Sequence, residues 1–192
     1  MSTTETAQLL AALTQQNELL SQMLEALRQP KLGLVEAPAL MRIYANRSNH
    51  CLWYTIRDGE VVPITATALA GYIQELRFET VERRGQPVVK LQLYLRGDRP
   101  YCVESGYDSN FSKGVLAALA TMSPQQLHHP VTLSPQPGSD ETVLFCRVYD
   151  ATGDLIRAAY DDQTNWRMMA RRAIANVEAL HGQPEANWGT AS

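Results

Sequence analysis

A short run of strict alternation in the middle of the chain constrains its fold more than any other feature. Leucine occupies every second position of KLQLYLR, at residues 91, 93 and 95. Because successive side chains of a strand point to opposite faces, this pattern predicts a strand with one wholly apolar face. The opposite face carries two cations, an amide and an aromatic ring, from Lys90, Gln92, Tyr94 and Arg96.

The segments around this run follow a definite order. Residues 69–82 are typical of a long strand, with Gly71 near its start where a strongly bent strand needs a glycine. Turn signals at Arg84-Gly85 and Gly97-Asp98 bracket the alternating strand and lead into a third strand near 99–104. The patterns that follow predict a helix over 109–122, strands over 130–134 and 142–150, a short strand ending at Ala159, and a last helix over 164–180.

Three meandering strands, a helix and two more strands are the order of the OB-fold, a small Greek-key barrel. Residues from about 69 to 160 therefore resemble OB-fold proteins of the single-stranded-DNA-binding type, by element order and pattern over about half of the chain. The resemblance implies a mainly β fold, an OB-like barrel with an inserted helix, preceded by strands within 41–64 and followed by a C-terminal helix. A different small barrel or an α+β sandwich is the alternative.

In the OB-fold the second and third strands form the usual ligand-binding face. Proteins that bind single strands need cations for the phosphates and flat rings on which bases stack. Between residues 77 and 99 there are six basic and three acidic residues, a net charge of +3, although the whole chain carries −3. The predicted nucleic-acid-binding residues are Arg77, Arg84, Lys90, Gln92, Tyr94, Arg96, Arg99 and Tyr101. The alternative is an ordinary solvated strand face.

The N-terminal segment predicts a helix over residues 4–28 that Pro30 ends. Its apolar residues have heptad spacing, with a polar asparagine at a central position of the kind that fixes register. The predicted oligomerisation residues are Leu10, Leu13, Asn17, Leu20, Leu24 and Leu27. The alternative is a helix that packs on its own domain. The predicted domains are this helix within 1–29, a linker over 30–40, the OB-like domain over 41–182 and a flexible tail over 183–192.

Catalytic and metal signatures are missing from the sequence. The three cysteines are far apart without a CxxC pair, and neither a nucleophile–base spacing nor a nucleotide fingerprint occurs. We therefore expect a non-enzymatic protein without cofactor or metal. The start of the sequence lacks a secretory signal and no segment is apolar enough to span a bilayer, which predicts a cytoplasmic protein.

The predicted function is binding of single-stranded DNA or RNA, between which the sequence does not distinguish, by a homo-oligomer without a membrane partner. The alternative is a protein-interaction adaptor or scaffold with the same barrel and no nucleic-acid ligand. The weak net charge and the aromatic pair Trp53-Tyr54 favour that alternative.

Overall fold

The computed structural model describes residues 3–28, 37–83 and 85–181. The chain divides into two compact units, Met1–Ala37 and Pro38–Ser192. In the first unit, helix α1 spans Thr3–Arg28, as the sequence predicts. Most of the predicted linker and the predicted tail lie outside the described residues.

The second unit is built mainly from strands, with three helices among its described residues. Its elements are β1 (Met41–Tyr44), β2 (Tyr54–Arg57), β3 (Glu60–Pro63), β4 (Leu69–Arg83), β5 (Gln86–Arg96), β6 (Pro100–Gly106), α2 (Asn110–Thr121), α3 (Pro124–Leu127), β7 (Val131–Pro137), β8 (Leu144–Tyr149) and α4 (Trp166–Glu178). The mainly β class, the helix between β6 and β7 and the C-terminal helix are confirmed.

The eight strands form one mixed sheet in the order β3-β2-β1-β6-β5-β4-β7-β8, which does not close on itself. Strands β4, β5 and β6 are joined in sequence, and β7 returns to lie on the other side of β4, which is the spatial order of a Greek key. Strand β1 pairs in parallel with β6, from Met41↔Tyr101 to Tyr44↔Glu104. The sequence does not predict this pairing.

The hydrophobic core lies against the leucine face of β5. Leu91, Leu93 and Leu95 are at most 1% exposed, as the alternation predicts. Helices α2 and α4 pack on each other, and α2 also packs on β8. The α2–β8 contact is close because a Cβ on Gly114 would lie 2.6 Å from the carbonyl oxygen of Cys146. Glycine lets the helix backbone rest directly on that strand.

Local signals in the sequence fix several turns and helix ends. Asp58 and Gly59 have φ values of 52° and 82°, and positive φ at both central residues is what the tight hairpin between β2 and β3 requires. Ser109 caps α2 by accepting from the Ser112 amide. Asn165 caps α4 in the same way, through the Met168 amide. The short helix α3 is not predicted, although Ser123 and Gln126 form a capping box at its start.

The predicted short strand ending at Ala159 is wrong. In its place the structure has an isolated bridge between Tyr149 and Leu155. The Asp150 carboxylate accepts from the amides of Thr152 and Asp154 at 2.9 and 3.0 Å, forming a side-chain turn. That turn takes up backbone donors that a longer ladder would need. In the described part of the chain, none of the helices is both long and apolar enough to cross a bilayer.

Candidate functional site

The face of the sheet opposite the core carries a row of side chains from four neighbouring strands, which we call the outer ladder: Arg77 of β4, Gln92 of β5, Glu104 of β6 and Tyr44 of β1. Arg77 Nε donates to Gln92 Oε1 at 3.2 Å, and Gln92 Nε2 donates to Glu104 Oε2 at 3.1 Å. Gln92 and Glu104 are 1% and 6% exposed. Their hydrogen bonds meet the requirement that buried polar groups be paired, and they hold the ladder in one arrangement.

Glu104 is the ionic centre of this face. Arg42 Nη1 donates to Glu104 Oε2 at 2.9 Å, and Arg83 Nη2 lies 4.0 Å from Glu104 Oε1. Arg83 is six residues beyond Arg77 on β4, which is roughly 20 Å along a straight strand. Its approach to Glu104 therefore requires the β4–β5 hairpin to coil over the outer face.

Tyr94 lies next to the ladder and is partly covered. The guanidinium carbon of Arg77 is 4.7 Å from the centroid of the Tyr94 ring, and the Tyr94 hydroxyl donates to Gln92 Oε1 at 3.1 Å. Arg77 is also paired with Glu75 at 3.3 Å and Glu79 at 3.6 Å. Many of the polar groups at the centre of the predicted binding face are thus already paired with other side chains of the protein.

A polar groove of about 520 Å³ opens beside the ladder. Its wall is formed by the ends of β1 and β6, Lys90 in the middle of β5, Arg83 at the end of β4, the start of α2 and the residues around the beginning of β8. Three cations line it, Arg83, Lys90 and Lys113, together with the carboxylates Glu104 and Asp108. A second cavity of about 290 Å³ adjoins it, because Tyr44, Arg83 and Glu104 line both. Together the two cavities form an indentation next to the β5–β6 face.

The ring of Tyr44 borders both cavities. It is stacked on Tyr54, with ring centroids 5.3 Å apart and 22° between the planes. Burial raises the pKa of Tyr44, and the nearby carboxylate of Glu104 raises this pKa further. Tyr44 is therefore a neutral, partly buried ring in a fixed orientation at the groove.

The loop between β7 and β8 forms another part of the wall and is tied down. Arg47 Nη1 donates to the Asp140 carbonyl at 2.8 Å and lies within 3.4 Å of the Gly138 carbonyl. The Asp140 carboxylate accepts from the Thr142 amide at 2.7 Å. The hydrogen bonds from Thr142 lower the pKa of Asp140. The hydrogen bonds of Arg47 and Asp140 thus fix the loop that forms one side of the groove.

Five of the predicted binding residues share the outer face, two lie elsewhere, and one is outside the described residues. The five are Arg77, Lys90, Gln92, Tyr94 and Arg96. Arg99 lies in the turn between β5 and β6, 3.6 Å from Asp98. Tyr101 pairs with Leu95, so its ring is on the other side of the sheet, and its hydroxyl bonds to Asp98. Arg84 lies outside the described residues.

Three residues of this site are not among those that the sequence predicts: Arg42, Tyr44 and Glu104. A usable signal was present, because Met41-Arg42-Ile43-Tyr44 alternates apolar and polar residues as β5 does. The alternation does not predict which strand pairs with β1. The parallel pairing with β6 is the contact that sets Tyr44 beside Glu104.

The aromatic pair Trp53-Tyr54 is buried. Trp53 is 1% exposed, its Nε1 donates to the Ala66 carbonyl at 2.9 Å, and Tyr54 is 5% exposed. These rings pack within the unit and do not form an exposed aromatic surface.

Helix α1, taken by itself, presents a row of exposed leucines. Leu10, Leu13, Leu20 and Leu24 are each more than half exposed, and Asn17 lies within the same row. The prediction for Leu27 falls on a side chain outside the described ones.

No protein-family model matches the chain, and neither a curated protein nor a solved structure matches it.

Proposed function

We propose that this protein binds single-stranded nucleic acid in the groove beside the β5–β6 face. The observation that carries the proposal is that Arg83, Lys90 and Lys113 line one indentation together with the fixed ring of Tyr44. Cations that follow the phosphates and a ring on which a base stacks are the two components of single-strand binding.

The connectivity of the strands supports an OB-like relationship. Strands β4 to β7 have Greek-key order, and α2 lies in the connection that returns to β4. In the OB-fold the ligand lies on the face of the second and third strands, between the loop that joins strands one and two and the loop that joins strands four and five. The corresponding positions here are β5, β6, the β4–β5 hairpin and the β7–β8 loop. Residues from all four line the groove.

The arrangement of charges also suggests how the strand would lie. Glu104 at the groove wall repels phosphates, whereas Lys90, Lys113 and Arg83 attract them. Phosphates would therefore follow the cations, and the bases would turn toward Tyr44. The acidic side chains in the groove limit the net attraction, so binding at a single site would be weak at physiological salt.

Oligomerisation through α1 would offset weak binding at each site. Its leucines recur at heptad positions, and joining two sites raises the effective concentration of the second by mass action. We include this self-association in the proposed function.

A double variant that removes one arginine and one lysine from the groove tests the proposal. Labelled single- and double-stranded oligonucleotides would be titrated at two salt concentrations against the parent and the Arg83→Ala/Lys90→Ala variant. Each phosphate contact on a single strand contributes about 0.7 to the slope of log affinity against log salt, so the variant should reduce this slope by about 1.4.

A matched control removes the same charge elsewhere. Arg157 and Arg172 are exposed and do not line the groove, so Arg157→Ala/Arg172→Ala should retain the parent slope. Equal loss in both variants would mean a diffuse charge effect. Failure of the parent to bind any oligonucleotide in low salt would reject the function.

A protein-interaction adaptor is the second candidate, favoured by one observation. Ile56 and Val61 are 47% and 41% exposed and pair across β2 and β3, and β3 stands at the end of the sheet order. An edge strand with exposed apolar neighbours suits the addition of an extended peptide. Binding through this edge would be nearly independent of salt, whereas binding through phosphates would weaken steeply.

A further inference from the structure

A third cavity, which we call the aromatic pocket, lies beside the first turns of α2. Its volume is about 370 Å³, within the range of ligand pockets. Three rings line it, those of Phe78, Tyr107 and Trp166, with Leu116 and Ala170. Its polar lining consists of Asp108, Lys113 and Arg167.

The rings reach the pocket from three separate elements. Phe78 comes from β4, Tyr107 from the turn that follows β6, and Trp166 from the first turn of α4. Tyr160 meets the Trp166 ring edge-on, with centroids 5.2 Å apart and 68° between the planes. Edge-to-face contact is a preferred aromatic geometry, and it holds Trp166 in place.

Lys113 connects the aromatic pocket to the polar groove. Its side chain and that of Asp108 line both cavities. The Lys113 ammonium lies 5.5 Å from the centroid of the Trp166 ring. A cation that rests over an aromatic face keeps its hydrogen-bond donors and can turn them to an anion that arrives between the two cavities.

We propose that the aromatic pocket takes one base of the same single strand whose phosphates follow the groove. Lys113 would contact the phosphate between that base and the base near Tyr44. A base is a flat ring with apolar faces joined to a phosphate, which matches a ring-lined pocket with Lys113 and Arg167 at its polar positions. This inference rests on the proposed function and extends the binding path beyond the sheet.

The tryptophans allow a direct test. In a Trp188→Phe background, emission comes from Trp53 and Trp166. Trp53 is 1% exposed and hydrogen-bonded, so it serves as a shielded internal reference. Single-stranded DNA and RNA oligonucleotides of increasing length would be titrated while anisotropy of the labelled strand and tryptophan emission are recorded together.

We expect Trp166 emission to be quenched only by strands long enough to reach from the groove into the pocket. Trp166→Phe should still bind those strands but lose the quenching. Because stacking of one base is worth about 1–3 kcal/mol, Tyr107→Ala should lower affinity for the longer strands roughly 5- to 150-fold and leave the shortest strands unaffected. Tyr107→Phe keeps the ring and should bind like the parent. Tyr107 is 52% exposed, so these variants should fold.

Two outcomes would overturn the inference and leave the proposed function standing. One is tight binding of long strands with unchanged Trp166 emission. The other is a Tyr107→Ala variant that binds all lengths as the parent does. Quenching by an aromatic peptide but not by an oligonucleotide would assign the pocket to a protein partner. If the anisotropy shows no binding of any strand by the parent, the proposed function and this inference both fail.

Discussion

The guanidinium of Arg77 lies over the ring of Tyr94, with its central carbon 4.7 Å from the ring centroid. This contact joins β4 to β5 on the face opposite the core. It also occupies a ring surface that a stacked base would need. A ligand that uses Tyr94 must displace Arg77, at a cost of about 0.5–1 kcal/mol for an exposed cation–π pair.

The first prediction concerns the outer face around Tyr94. We expect Tyr94→Ala/Arg96→Ala to weaken, but not abolish, binding of a single-stranded oligonucleotide in low salt, because it removes a ring and a cation beside the groove and leaves the cations that line the groove in place. Arg77→Ala should change affinity much less, since the lost charge is offset by an uncovered ring. Fluorescence anisotropy measures both. Parent-like binding by the double variant would exclude this face.

The second prediction concerns Glu104. Glu104→Gln removes a negative charge from the groove, so affinity for a single strand should rise several-fold at low salt. The free energy of unfolding should fall by about 1–3 kcal/mol, because Arg42 loses its partly buried partner. Urea denaturation and oligonucleotide titration measure the two effects. Glu60→Gln, an equal charge change on β3, should alter neither, and a loss of affinity in Glu104→Gln would contradict the assigned phosphate path.

The third prediction concerns the core face of β5. Leu93 is fully buried, so Leu93→Ala should reduce the free energy of unfolding by about 2–5 kcal/mol. Val61→Ala, on exposed β3, should change it by less than about 0.5 kcal/mol. Chemical denaturation compares the two. Similar values would mean that Leu93 does not lie in a packed core.

The fourth prediction concerns α1. Leu13→Glu/Leu20→Glu places charge at two heptad core positions and should convert the proposed oligomer to a monomer in analytical ultracentrifugation. Gln15→Glu/Gln22→Glu adds the same charge away from those positions and should leave the assembly intact. A parent protein that sediments as a monomer would reject self-association through this helix.

The fifth prediction concerns the cysteines. Burial raises the pKa of all three thiols. Cys102 and Cys146 are buried, whereas Cys51 is only partly buried. Since the thiolate is the reactive form, Cys51, which is half-buried, should react first with a thiol reagent at pH 8. The other two should react only after unfolding, and Cys51→Ser should remove the early phase. More than one early thiol in the parent would contradict the buried positions.

The raised pKa values also give a direction for stability against pH. The folded state holds these protons more tightly than the unfolded chain does. The contribution of these protonated thiols to the free energy of unfolding is therefore complete below the unfolded thiol pKa of about 8.5. It is lost as the pH rises above that value. Denaturation midpoints measured from pH 7 to pH 10 should decline in the parent, and less in a Cys146→Ala variant relative to its own value at pH 7.

The sequence alone was sufficient for the features that depend on neighbours along the chain. Alternation at residues 90–96 predicted a strand with buried leucines, and the patterns over 109–122 and 164–180 predicted two helices, which the structure shows as α2 and α4. Each follows from side-chain direction or backbone preference within a few residues. The order of three strands, a helix and two strands follows from the same local patterns.

Only the tertiary structure decided how those elements meet. Strand β1 pairs with β6, the β4–β5 hairpin coils until Arg83 approaches Glu104, and Arg77 covers Tyr94. These contacts join residues distant in sequence, and the pattern within a strand carries no information about which strand lies beside it or how far a hairpin bends. The sequence thus determined which face of β5 is polar, while lateral pairing and curvature determined that Tyr44, Lys90 and Glu104 border one groove.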